Sequence, residues 1–202
     1  MYEQEKLKYN LNDLEPYIDT KTLTYHRILE KRYIDNLNKL LNKNNYDYKY
    51  SMEELINHLN LFPLSDRDDI LYNLGGALNH KSYFMNMSPN KKNIPMGNIK
   101  NAIGKKYGSY SNFKNAFINE ALKLRGSGYT FLILNDDRLN IINTSNQDTP
   151  YSYNYIPLIT MDLWEHAYYL KYNIDKKEYI NNFFELIDFD YINNVYESNI
   201  KA

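Results

Sequence analysis

The chain has 202 residues, 43% of them hydrophobic, with 24 basic side chains against 25 acidic ones and a net charge of −1. That length suits one compact unit or two small subdomains, and the charge balance leaves no basic excess to offset phosphates, which argues against a nucleic-acid partner. The absence of cysteine excludes disulfides, iron–sulfur ligation and thiolate chemistry.

Residues 1–18 read as an irregular arm containing Pro16. The arm is polar and mixed in charge from Met1 to Leu11, with no apolar core of a signal peptide. No run of about 18 apolar residues follows, so the expectation is a cytoplasmic protein without a membrane partner. Asp19 or Thr20 can cap a helix that runs to about Leu41, with Leu23, Tyr33, Ile34, Leu37, Leu40 and Leu41 on one face. Ser51 and Glu54 form a capping box for a short helix over about 52–60, which Pro63 ends. A third helix spans Asp66 to about Asn86 and carries Gly75 and Gly76. A glycine pair inside a helix costs about 1 kcal/mol per residue relative to Ala, so something packs closely there. Residues 87–97, with Pro89 and Pro95, read as a linker.

The second half changes character. Helices resume over about 99–107 and 112–125, and Gly126 and Gly128 stop the second. Strands over 129–134 and 139–145 flank a turn at Asn135–Asp137, and a third strand covers 155–161. Helices over about 165–172, 177–186 and 188–198 close the chain. The fold class is therefore α+β: an N-terminal helical hairpin domain, residues 1–88, then a C-terminal domain, residues 89–202, of helices around a three-stranded antiparallel sheet.

One stretch concentrates chemistry, the run from Thr160 to Tyr169 with the only Trp of the chain, Trp164. Asp162 and His166 stand four apart, which places them on one helical face, and a strand running into a helix would also let them converge. An isolated D-x-x-x-H is also consistent with a plain Asp–His hydrogen bond beside a buried Trp. The chain has only four histidines, and His58 has no companion. His26 and His80, on separate helices, would each be structural if alone. With Asp162 and His166 they make three imidazoles and one carboxylate, a mixed N/O set that suits Mn, Fe or Zn.

The run D-x-W-E-H-A-Y-Y resembles the signature of the iron/manganese superoxide dismutases. The likeness extends to Leu14–Ile18 followed by His26, to Gly75-Gly76 through Asn79-His80, to Gly126-Ser127-Gly128, and to Ser145 through Pro150. The resemblance implies metal ligands His26, His80, Asp162 and His166, catalytic Tyr33 and Gln147 beside the metal-bound solvent, and Trp164, Glu165 and Tyr169 behind the ligands or at a dimer interface. It also implies dismutation of superoxide at one Mn or Fe ion per subunit, in a homodimer or a tetramer. Manganese is favoured, because Gly76, four before His80, cannot supply the amide that Gln147 supplies from the later loop. That arrangement resembles the manganese type.

The sequence also departs from the family pattern. A second His four residues after the first ligand is replaced by Glu30, and Tyr33 falls seven residues after His26 instead of eight. Phe84, Tyr129, Phe131, Phe184 and Phe189 stand where Trp is usual, and Lys176 stands at the Arg of the substrate funnel. Seven residues at about 100° each still return Tyr33 to within roughly 20° of His26. Glu30, on the same face, would repel superoxide unless Lys31, Arg32 or Lys176 neutralised it. These departures leave an alternative: a dismutase-fold structural or coat-like protein with weak or no activity.

Overall fold

The computed structural model describes residues 1–90 and 92–200. Helix α1, Thr20–Lys43, starts where the Asp19 carboxylate accepts the Thr22 N–H at 2.9 Å, and it runs unbroken past the shortened His26–Tyr33 interval. The Ser51–Glu54 capping box forms, but it nucleates only one turn, α2, Met52–Leu55. Residues Ile56–Leu61 tighten into a 3-10 segment, and His58 leaves helical backbone geometry and stacks on Tyr50 at 4.0 Å. The single helix expected over 52–60 is thus two short pieces. Helix α3, Leu64–Met85, begins directly after Pro63 and crosses back against α1.

Helices α4, Gly97–Tyr107, and α5, Tyr110–Lys123, lead into strands β1, Gly128–Asn135, β2, Arg138–Ser145, and β3, Ile156–Asp162. The sheet order is β2-β1-β3, antiparallel throughout. Asp136 and Asp137 both take positive φ, 44° and 60°, which a tight two-residue hairpin between right-twisted strands requires. Helices α6, Glu165–Tyr172, α7, Lys176–Phe183, and α8, Phe189–Asn199, complete the chain. Among the described residues no helix is long and apolar enough to cross a membrane.

Two apolar cores matter for the site. The far end of the hairpin packs Ile34, Leu37, Leu41, Leu55, Ile70 and Leu74 against one another. Its near end does not keep a separate core: Leu23, Tyr83 and Phe84 join the large cluster of the second half, together with Leu14 and Ile18 of the arm. Leu14 and Ile18 are almost completely buried, so the arm is irregular in backbone yet anchored by two apolar side chains. Each fully buried Leu or Ile contributes about 1.5–3 kcal/mol. This shared core presses α1 and α3 against β3 and α6, where the four candidate ligands lie.

The glycine pair of α3 has the close neighbours that its cost requires. A Cβ on Gly75 would lie 2.2 Å from the Gln147 carbonyl oxygen, and one on Gly76 would lie 2.4 Å from the Tyr33 ring. Both are therefore places where backbone and ring approach a helix that has no side chain in the way.

Candidate metal centre

Asp162 is the last residue of β3, and His166 is the second residue of α6. The D-x-x-x-H pair therefore bridges a strand end and a helix start, and the two-residue link turns both side chains inward. The Trp164 N–H donates to Asp162 Oδ1 at 2.8 Å, which leaves Oδ2 as the free edge of the carboxylate. Nε2 of His26 lies 3.1 Å from that oxygen, Nε2 of His166 3.2 Å and Nε2 of His80 4.0 Å.

One ligand atom from each of these four residues falls within 4.8 Å of all the others. Two ligands bound to a first-row ion at 2.0–2.2 Å lie about 3–4.4 Å apart, so the set needs only small adjustment to close on one ion. His80 supplies a second test of fit. Its Nδ1 lies 2.6 Å from the Gly76 carbonyl, which can only accept, so Nδ1 carries the proton and Nε2 holds a lone pair. That Nε2 is buried and has no hydrogen-bond partner among the described residues. A buried acceptor without a donor costs about 1–3 kcal/mol, and a cation at this point removes that cost.

The electrostatics agree. Burial holds the His26 imidazole down to about 4, with His166 adding to the effect against the pull of Asp162. Burial, reinforced by His26, holds His80 down to about 3. Both rings are neutral at physiological pH, with lone pairs available. For Asp162, burial alone would raise the carboxyl, but His166 and His26 outweigh it and keep it ionised.

Gln147, nearly fully buried, lies behind the ligands in the loop after β2. Its Nε2 donates to the Tyr33 hydroxyl at 3.0 Å, and the Tyr33 ring lies 5.2 Å from that of His80. Tyr33 thus reaches the centre despite the missing residue. Trp164 stacks on His166 at 5.7 Å, and its indole N–H donates to the Asn146 carbonyl at 3.1 Å. Glu165 and Tyr169 of α6 point outward, and Tyr169 is 47% exposed.

Glu30, expected to line the approach to the metal, is placed elsewhere. Glu30 has 0% exposure and is covered by the N-terminal arm. Its Oε2 accepts from Gln4 Nε2 at 2.7 Å and is ion-paired with Arg27, so Arg27, and none of the three cations named above, neutralises it. Lys31 is instead paired with Asp35, and the Lys176 ammonium is held on the Leu124 carbonyl at 3.3 Å. Glu30 is therefore a buried acid with no open path to an incoming anion.

Its burial has a measurable consequence. Burial raises the Glu30 carboxyl from 4.5 to about 7, against the opposing pull of Arg27 and the Gln4 hydrogen bond. A raised acid binds its proton more tightly folded than unfolded. The stability it contributes is complete below about pH 4.5 and is lost as pH rises through about 7. Unfolding free energies of metal-free wild type and Glu30→Gln, measured from about pH 4 to 8, should diverge by roughly 3 kcal/mol in favour of the variant at the alkaline end. A difference that stays constant over that range would show Glu30 to be ordinarily acidic.

Tyr129 was not singled out from the sequence as a site residue. Fully buried, it donates its hydroxyl proton to Gln147 Oε1 at 3.0 Å and lies 3.4 Å from His80 Nδ1. It thereby fixes which end of the Gln147 amide faces Tyr33. The β1–β3 register sets Tyr129 directly opposite Asp162, and that pairing was the missing signal.

Comparison with known proteins agrees with this geometry. The alpha-hairpin domain of the iron/manganese superoxide dismutases matches residues 1–88, and their C-terminal domain matches residues 95–195. Superoxide dismutase [Mn] 2 of Bacillus anthracis is 34% identical over 202 residues, covering 100% of this chain and 97% of its own. Superoxide dismutase [Mn] of Listeria monocytogenes is 35% identical, covering 98% of each. Superoxide dismutase [Mn/Fe] 2 of Staphylococcus aureus is 33% identical, covering 95% of this chain and 96% of its own. With both halves matched, relatives aligned end to end, and three imidazoles meeting one carboxylate at the junction of β3 and α6, this chain belongs to the iron/manganese superoxide dismutase family.

Proposed function

We propose that the protein dismutates superoxide at one metal ion held by His26, His80, Asp162 and His166. The observation that carries this reading is the convergence of three imidazole Nε2 atoms on Asp162 Oδ2, with the buried Nε2 of His80 left without a hydrogen-bond partner among the described residues. A bound Mn or Fe ion supplies the one-electron couple by which one superoxide is oxidised to dioxygen and a second, with two protons, is reduced to hydrogen peroxide. The chain's own residues govern charge and protons. One carboxylate against three neutral imidazoles leaves the centre cationic, which attracts an anion. Gln147 occupies the Tyr33 hydroxyl as a donor, so the phenol proton is free to point elsewhere. Burial, followed by the neighbouring Tyr72, raises the Tyr33 phenol, and it stays protonated as a donor at physiological pH.

Manganese is the metal of this reading. A side chain at position 76 would run into the Tyr33 ring, so the amide beside the centre comes from Gln147 alone. A neighbouring amide sets the potential and pKa of metal-bound solvent, and its origin tunes one metal against the other. Protein reconstituted separately with Mn and with Fe should be the more active with Mn; greater activity with Fe rejects the assignment.

The active form is a homodimer in the same reading. Glu165 adjoins the ligand His166 yet points into solvent from the single chain. In a second copy it would meet the equivalent ligand histidine and tie association to metal affinity. Glu165→Ala should weaken both association, measured by sedimentation, and metal retention. A variant that stays dimeric with full metal content contradicts this interface.

A further inference from the structure

The N-terminal arm does more than fill space against α1. The Gln4 amide donates twice, to the Arg27 carbonyl at 2.7 Å and to Glu30 Oε2 at 2.7 Å. Arg27 is ion-paired with Glu30, donates to the Glu5 carbonyl, and lies with its guanidinium 5.0 Å from the centre of the Phe84 ring. The Tyr9 hydroxyl donates to the Phe84 carbonyl at 2.9 Å. Phe84 in turn meets the His26 ring edge-to-face at 4.9 Å and approaches that of His80 at 6.4 Å. The arm therefore grips α1 one residue beyond His26 and α3 four residues beyond His80.

We propose that Gln4, Arg27 and Glu30 form a positioning latch that fixes the His26 ring through Phe84, with the arm as its outer half. A buried ion pair is weak evidence for stability, because desolvation offsets most of its attraction. Its planar fork nevertheless fixes where the guanidinium lies. Here that fixes the ring packed against the ligand, as outer partners of a metal ligand do in general. The latch rests on the metal reading above and adds a function for the arm and for the acid at position 30.

The test uses full-length protein loaded with Mn(II). The rate of metal loss to excess EDTA and the electron paramagnetic resonance spectrum of the bound ion are recorded for wild type, Gln4→Ala, Glu30→Ala and Glu30→Gln. Gln4→Ala and Glu30→Ala should lose metal about tenfold faster and show an altered spectrum. Glu30→Gln keeps an oxygen that accepts from both Gln4 and Arg27, so it should match wild type in both. If Gln4→Ala melts earlier but keeps the wild-type spectrum and metal-loss rate, the arm only packs and the latch is wrong. The latch is equally wrong if Glu30→Gln behaves as Glu30→Ala. A wild type that binds no manganese overturns the metal reading itself, which the variants alone cannot do.

Discussion

Asp162→Asn will leave the protein almost free of metal and without superoxide turnover. Asp162 Oδ1 accepts the Trp164 N–H, and Oδ2 faces the three imidazoles. An Asn cannot serve both edges. With its oxygen toward Trp164 it aims an NH2 at the metal position, and with its oxygen toward the metal it sets two donors against each other. Either way the one anionic ligand is lost from a fully buried site. Removing one partner of a buried charge interaction costs about 3–5 kcal/mol, or roughly two to three and a half decades of metal affinity. Elemental analysis of purified variant should give a small fraction of the wild-type metal content. Full occupancy with full turnover would remove Asp162 from the centre.

Gly76→Ala will lower both stability and turnover, although alanine is the better helix former. The added methyl would sit 2.4, 2.6 and 2.8 Å from three atoms of the Tyr33 ring, which is buried and tied to Gln147. No flexible end is available to move aside. The helix gains up to about 1 kcal/mol from the loss of glycine. Overpacking costs about 1–3 kcal/mol. The net destabilisation is up to about 2 kcal/mol once that gain is set against the clash. A displaced Tyr33 hydroxyl also leaves Gln147, and a misplacement of about 1 Å at a reacting site can cost about 10²-fold in rate. Gly104→Ala is the control, because no described residue lies within 4 Å of its Cβ position. It should be neutral or stabilising by up to about 1 kcal/mol. Equal effects at the two positions would show that Tyr33 yields freely.

The features legible in the sequence were those set by local rules. Helical spacing kept Tyr33 on the face of His26, and the structure has the two on one unbroken α1. The glycine pair demanded close neighbours, which are the Gln147 carbonyl and the Tyr33 ring. The four candidate ligands stood out because the Asp162–His166 run carries the family resemblance and the chain has only four histidines. What stayed hidden depended on distant partners. Glu30 was read as facing an approaching anion, since nothing local announces that Gln4, 26 residues earlier, folds over it. Tyr129 gained its role from strand register, and the break at His58 from tertiary packing around Tyr50. The resemblance puts Lys176 at the funnel, and no local pattern announces that its ammonium is held by the Leu124 carbonyl after α5.

The most direct test of the central claim is the decay of superoxide followed in the presence of protein carrying one manganese per chain. The four-ligand centre predicts fast, catalytic decay that continues over many equivalents of superoxide and disappears with Asp162→Asn. Stoichiometric manganese in the wild type with decay no faster than the uncatalysed reaction would contradict it and leave a metal-binding protein that does not turn over superoxide.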